Sequence, residues 1–390
     1  MNYDVIVVGA GPAGSSAARL LAEQGVKVTL VERSRMPRYK ACGAGIVGRA
    51  MRLLPTAVKE AVERECFTAE MNMLDGGMHF EVTKQEPVIW MSMRDKLDYL
   101  MALDAQRAGA DLRQECHVLD IEPHSNSVTL ETNRGTLTAS YVIASDGAIG
   151  SIAKKAGWRE TRTLVPAVEW EVPVSADVFA RFQQSARFDF GVVPSGYAWV
   201  FPKGSHLSVG AASMKRTRTS LNSALEKHCA SLGIPLAKEI QRHGAIFSVG
   251  PRSDGFVRGR VLLVGDAAGV ADPVVGEGIS FAVMSGRAAA KALIAGKFVE
   301  KAVEKAYSVA IEEQILRELR PARDLGKLLY GPAAIRNYLF RQRGQAFCEA
   351  VTDVVAGNAR YRELAGRVLA HLKRLLPQDV VRLFSRVNAD

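Results

Sequence analysis

The sequence is poor in the residues that build disulfide frameworks and metal centres. Its 390 residues hold five cysteines (Cys42, Cys66, Cys116, Cys229 and Cys348) and seven histidines. The cysteines are odd in number and scattered, with no Cys-x-x-Cys pair, and no histidines cluster at ligand spacing. This predicts a reducing compartment and no metal. No apolar run is long enough to span a bilayer, and the opening MNYDVIVVGAGPAG has no basic segment ahead of its short, glycine-rich apolar stretch. A cytoplasmic protein is the expectation. Low-complexity tracts and fixed-period repeats are also missing, which argues against disorder and solenoids. What remains is an ordinary globular composition, 48% hydrophobic and 24% charged, in a chain long enough for more than one domain. A net charge of +10 suits nucleic acid, an anionic membrane surface or an acidic substrate. The absence of any nucleic-acid motif removes the first of these.

Residues 3–8, YDVIVV, read as a buried strand running into Gly9, Gly11 and Gly14, with Pro12 and Ala13 between them. SSAARLLAEQG then continues with helical spacing to Gly25, and a second apolar run, VKVTLVE, ends at Glu32 and is followed by Arg33. Strand, tight turn, helix, strand and acid in this order suit a dinucleotide. The glycines admit a pyrophosphate to the helix N-terminus, and the carboxylate accepts hydrogen bonds from ribose hydroxyls. NAD and FAD sites share this pattern.

Two later segments narrow the choice. YVIASDGAIGSIAKKAG, residues 141–157, is an apolar strand ending at Asp146-Gly147, placed to cover the glycine turn. RVLLVGDAAGVADPVVGEGISFAVMSGRAAAKAL, residues 260–293, is a strand, then Gly265-Asp266, a proline, two glycines and a long alanine-rich helix. A carboxylate at a strand end suits a sugar-alcohol hydroxyl, and a helix opening near Gly276 to Gly278 aims its amides at an anion. Together the three segments resemble the p-hydroxybenzoate hydroxylase-like superfamily of FAD enzymes. The resemblance implies the α/β class, with a discontinuous Rossmann-like FAD-binding domain at residues 1–70, 93–160 and 255–300. A mixed β-sheet substrate domain would occupy 71–92 and 161–254, and a C-terminal helical region 301–390. The resemblance also places Asp266 on the ribitol and Gly276, Gly278 and Ile279 near the isoalloxazine ring. Arg94, heading the stretch RDKLDYLMALDAQRAG, matches an arginine near the cofactor in similar flavoproteins. From spacing alone, Arg94 and Asp98 read as an exposed i,i+4 pair.

PRYKACGAG, residues 37–45, follows the ribose-binding acid where the superfamily's chain passes along the flavin. Its Cys-Gly-x-Gly stretch resembles the geranylgeranyl reductase family of FAD-dependent oxidoreductases, which saturate isolated double bonds in prenyl chains. GYAWVFPKG, residues 196–204, matches the family's Tyr-x-Trp-x-Phe-Pro pattern through Tyr197, Trp199, Phe201 and Pro202. Tyr197, Trp199 and Phe201 alternate as one strand face would. Gly269 stands where hydroxylases carry a histidine and leans the same way. The chlorophyll-type reductases continue Cys-Gly-Gly-Ala-Ile-Pro, whereas this chain has Cys42-Gly43-Ala44-Gly45-Ile46-Val47, a departure from the pigment branch. The resemblance implies FAD, a prenylated small-molecule substrate, Cys42 and Gly43 beside the flavin, and Cys42, Tyr197 and Trp199 as the reacting or pocket-shaping residues. By residue type alone, Cys42 also reads as a small buried hydrophobe and the aromatics as core. No second dinucleotide fingerprint occurs, so electrons would come from transiently docked NAD(P)H or from a ferredoxin.

Beyond residue 300 the pattern is amphipathic helix, with Pro321 and Gly326 as expected breaks. Twelve basic and six acidic residues follow Pro321, interleaved with apolar ones. Such a region reads either as a basic lid at a membrane surface or as a solvated helical face. Two other activities share the FAD segments: aromatic or polyketide monooxygenation, and halogenation, whose Trp-x-Trp-x-Ile-Pro stretch YAWVFP partly echoes.

Overall fold

The structure, a computed structural model, describes residues 2–215, 218–237, 240–364 and 366. Its first sheet is built around the strand Asn2–Val8, which pairs in parallel with Val28–Val31 on one side and Gly135–Ala144 on the other. Asp111–Arg113 and Val261–Leu263 extend the parallel array at its two edges. Such a sheet is buried on both faces, which is why its strands read as unbroken apolar runs. The helices Pro12–Glu23 and Ile279–Ala295 pack closely, because a Cβ at Gly286 would lie 2.1 Å from the Ala13 carbonyl oxygen. Strand order reverses across Asn2–Val8, and open sheets of this kind form a crevice at the carboxyl ends of the strands flanking such a reversal.

The second sheet has seven strands in the order Gln241–Val249, Thr163–Pro173, His206–Ser213, Gly196–Pro202, Ser185–Phe190, Thr68–Met73 and Met78–Thr83. Only the pairing of Ser185–Phe190 with Thr68–Met73 is parallel, so the sheet is mixed, as expected. Thr68–Met73 begins ahead of residue 71, where the sequence reading set its boundary. A small third sheet joins Gly45–Val47, Ile89–Ser92 and Val62–Cys66 and carries the chain away from Cys42.

The C-terminal region is helical, but its breaks differ from expectation. Glu300–Ile311 runs through a π turn at Glu312–Leu316 into Arg317–Leu329, so Pro321 and Gly326 both lie inside a helix. The wide turn immediately upstream shifts the backbone ladder, which accommodates the missing proline N–H. Gly326 is a packing residue: a Cβ there would sit 2.8 Å from the Pro273 carbonyl oxygen. The break comes instead before Ala333–Ala356, a helix kinked at Arg343, beside which Gly344 packs on the Phe80 ring. Among the basic residues after Pro321, Arg336 is buried and bonds Asp75, which removes it from any free basic face. Arg367, Lys373, Arg374, Arg382 and Arg386 lie outside the described residues. Among the described residues no helix is long and apolar enough to cross a membrane.

Candidate active site

The glycine turn lies at the strand-order reversal. Gly11 is the N-cap of Pro12–Glu23, and Pro12 takes a first-turn position where its absent N–H costs nothing. Gly14 is buried under the turn: a Cβ would sit 2.0 Å from the Gly9 carbonyl oxygen and 2.4 Å from Ser145 Oγ. Only glycine lets the helix begin this close to the strand end, so that its free amides face the crevice. Ser145 donates from Oγ to the carbonyls of Val8 and Gly9 at 2.7 and 2.9 Å, so the later segment does cover the turn. Asp146 is placed differently from expectation. Its Oδ2 accepts the Ile152 N–H at 3.0 Å, which ties it to the next turn, and Gly147 is the residue that lines the cleft. Glu32 is buried and accepts from the N–H groups of Ala10 and Ser34, both at 3.1 Å, bracing the glycine turn against the following segment. Arg33 beside it is exposed.

Gly265 and Asp266 form the opposite wall, with Gly276, Gly278 and Ile279 beyond them. Burial pushes the Asp266 carboxyl up, and Lys40, Arg94 and Arg162 draw it back down. Gly276 has a φ of 69°, and its missing Cβ leaves room for the Tyr197 hydroxyl, which donates to the Val275 carbonyl at 3.0 Å. Arg94 is not half of an exposed pair. It is 6% exposed and reaches Asp98 through Nε and Nη2, both at 2.9 Å, while Arg38 takes the same carboxylate at 2.9 Å. Burial alone would raise Asp98, but Arg94 and Arg38 hold it below the usual carboxylate range. The Arg94 guanidinium also approaches Gly11, 3.9 Å from where a Cβ would stand.

From these walls one cleft of about 1690 Å³, counted with its open mouth, continues across the second sheet. The strand Gly196–Pro202 is wholly buried, and Tyr197, Trp199 and Phe201 line the cleft side by side with ring centroids 6.0 and 6.3 Å apart. Cys348, Val351, Thr352 and Val355 of the kinked helix line the cleft as well. Cys42 stands where the two halves meet, half-buried and unpaired in any disulfide. Its loop follows the aromatic strand: a Cβ at Gly43 would lie 3.0 Å from the Phe201 ring and 3.1 Å from Trp199 Nε1. Ala44 next to it has a φ of 46°, a left-handed geometry that costs about 1–2 kcal/mol for a residue with a side chain.

Two residues missed by the sequence reading hold this loop. Lys203 is fully buried and donates from Nζ to the carbonyls of Gly43 and Ser92 at 2.5 and 2.8 Å. Glu169, 1% exposed, accepts the Cys42 N–H at 2.5 Å. Burial pulls the Lys203 ammonium down and pushes the Glu169 carboxyl up. The available signal was charge interrupting apolar strands, in YAWVFPK and in VEWEV. Neither stretch names its partner.

Comparison with known proteins follows the same lines. A family described as an FAD binding domain matches residues 2–305. Digeranylgeranylglycerophospholipid reductase 2 of Methanothermobacter thermautotrophicus is 31% identical over 352 residues, covering 85% of this chain and 89% of that protein. The chain belongs to the geranylgeranyl reductase family of FAD-dependent oxidoreductases. Another similar protein is a menaquinone reductase of Mycolicibacterium smegmatis, 28% identical and covering 86% of this chain and 88% of its own. Among solved structures, a geranylgeranyl bacteriochlorophyll reductase-like protein from Thermoplasma acidophilum aligns with a TM-score of 0.75 at 24% identity. It covers 96% of this family member and 99% of its own chain, a likeness of fold. FAD is the cofactor of this reductase-family chain, and the glycine cradle fits it, since the space closed to a Cβ at Gly14 keeps the backbone open to a pyrophosphate.

Proposed function

We propose that this protein is an FAD-dependent reductase that saturates isolated C=C bonds in the prenyl chain of a lipid, quinone or diphosphate. The observation that carries this reading is a single cleft running from the glycine turn to the wall of Tyr197, Trp199 and Phe201, with Cys42 at the junction. An isolated alkene offers no polar handle, so its site must be apolar and dry. When bound and reduced, FAD supplies the hydride.

In this reading Gly9, Gly11, Pro12, Ala13 and Gly14 take the pyrophosphate, and Glu32 with Arg33 the adenosine ribose. Gly265 and Asp266 meet the ribitol. Cys42, Gly43, Gly276, Gly278 and Ile279 flank the ring, with Arg94 and Gly147 closing the groove. Tyr197 is a poor acid, because its hydroxyl is committed to Val275 and burial pushes its pKa up. That leaves the Cys42 thiol to give the alkene carbon its proton, with Tyr197 and Trp199 shaping the wall. Electrons would arrive from NAD(P)H or a ferredoxin, and a prenyl-lipid substrate would bring the protein to the cytoplasmic membrane surface.

The test is an anaerobic one. Holoenzyme reduced with dithionite is mixed with geranylgeranyl diphosphate or a prenylated lipid, and both the flavin spectrum and the product mass are followed. Flavin reoxidation without oxygen, with a product that has gained H2, supports the reductase. Reoxidation by oxygen alone points to an aromatic or polyketide monooxygenase.

A further inference from the structure

The second sheet carries an acidic cluster that the reductase chemistry above does not use. Glu169 and Glu171 stand two residues apart on Thr163–Pro173, and His206 and Ser208 two apart on the neighbouring strand, so the period of two puts all four on one face. That face is the one Trp199 covers: a Cβ at Gly210 would lie 2.0 Å from its ring, so the missing side chain lets the indole lie over the strand. Tyr39, 39% exposed, bridges the two acids, with its hydroxyl 3.2 Å from Glu169 Oε2 and 3.1 Å from Glu171 Oε1. His206 Nε2 lies 2.6 Å from Glu171 Oε2, and the imidazole is 20% exposed. Polar atoms are therefore connected without interruption from a solvent-touching imidazole to a buried carboxyl on the cleft wall beside Cys42.

A purely structural role fits this cluster poorly. Holding the Cys42 N–H needs one acceptor, which a glutamine would supply without charge. Two carboxylates on one buried face desolvate and repel each other, and this is unfavourable unless protons are shared between them. Burial and then Glu171 raise Glu169, while Ser208, which donates to Oε1 at 2.7 Å, and the buried ammonium of Lys203 oppose the rise. His243 completes the surroundings, opposite Glu169 in register and stacked on Tyr39 with centroids 4.1 Å apart.

We propose that His206, Glu171, Tyr39 and Glu169 form a proton conduit that recharges Cys42 during alkene reduction. The proposal rests on the reductase reading. In each turnover the π bond breaks and two C–H bonds form, one with the hydride of reduced FAD and one with the Cys42 thiol proton. The thiolate, which the Ala44 N–H and Arg94 face, takes its proton by way of the cleft from Glu169, whose direct contact is with the Cys42 peptide. Glu169 takes the phenolic proton of Tyr39 as Tyr39 takes one from Glu171, so the phenol stays neutral. Glu171 is refilled from the His206 imidazolium, and His206 from water. The net uptake is one solvent proton per double bond, matched by one hydride.

The test uses dithionite-reduced holoenzyme and a prenyl alkene substrate, followed over repeated turnovers in H2O and D2O across pH, with Tyr39→Phe, Glu169→Gln and His206→Gln. Tyr39→Phe is the informative change, because it removes one partly exposed hydroxyl and leaves the ring in place. The expectation is a kcat lowered by about a hundredfold, in the range of lost acid–base catalysis, with KM, FAD content and Tm unchanged. The solvent isotope effect should rise, and His206→Gln should lower kcat in the same way as Tyr39→Phe. If Glu169 only holds the loop, Glu169→Gln keeps that acceptor and turns over at the wild-type rate with an unchanged isotope effect, which overturns the conduit. Variants that keep wild-type rates and isotope effects also overturn it, while wild-type turnover preserves the reductase reading. Wild-type protein that leaves the alkene untouched overturns both.

Discussion

Gly14 and Lys203 mark the two extremes of what single residues disclose. Gly14 is legible because a backbone approach of 2.0 Å admits no other residue, whatever the tertiary context. Gly14→Ala should overpack the turn by about 1–3 kcal/mol, weakening FAD roughly tenfold or more. The ratio of flavin to protein absorbance after gel filtration reads this directly. Lys203 is not legible, because its burial is decided by the Gly43 carbonyl 160 positions away in sequence. Lys203→Met keeps the volume but leaves the Gly43 and Ser92 carbonyls without their donor. A loss of about 1–3 kcal/mol per unmet group is expected, measured as a lower urea midpoint. Glu169 was hidden for the same reason: a glutamate in a strand pattern reads as solvent-facing until its partner, here the Cys42 peptide, is known.

At the scale of elements, the strand–turn–helix at the N-terminus and the helix Ile279–Ala295 follow the sequence closely, since periodicity and glycine punctuation are local signals. The helix Arg94–Arg107 was legible as a helix but not as a buried one. Its polar residues lie all round, and the burial of Asp98 depends on Arg38 from a separate loop. Asp98→Ala would leave the buried Arg94 guanidinium without its carboxylate, while Arg38 keeps Glu32, and should cost about 3–5 kcal/mol by chemical denaturation. Asp98 is held below its ordinary 3.8, so its contribution is present above that pH and lost as pH falls toward the folded value. The acid limb of a thermal-stability profile should therefore flatten in Asp98→Asn. The helix through Pro321 shows the opposite failure, where a reliable local breaker is overridden by a π turn that single-residue rules do not register.

For the whole molecule, the cofactor groove and the aromatic wall belong to different sheets, and FAD would contact both. FAD at a hundredfold excess over its Kd should stabilise the fold by about 2.7 kcal/mol. Calorimetry of flavin-stripped and reconstituted protein should accordingly show Tm values several degrees apart. The arrangement of the cleft also sets an order in time. The glycine turn, the covering Ser145 segment and the Gly265–Asp266 wall all precede residue 295, whereas Cys348, Val351, Thr352 and Val355 come from the helix Ala333–Ala356. During synthesis a nascent chain can therefore finish its cofactor groove while the hydrocarbon chamber still lacks a wall. Enclosure of the apolar half must wait for nearly the entire polypeptide to emerge, so the aromatic surface of Tyr197, Trp199 and Phe201 is the part most in need of shielding on the ribosome.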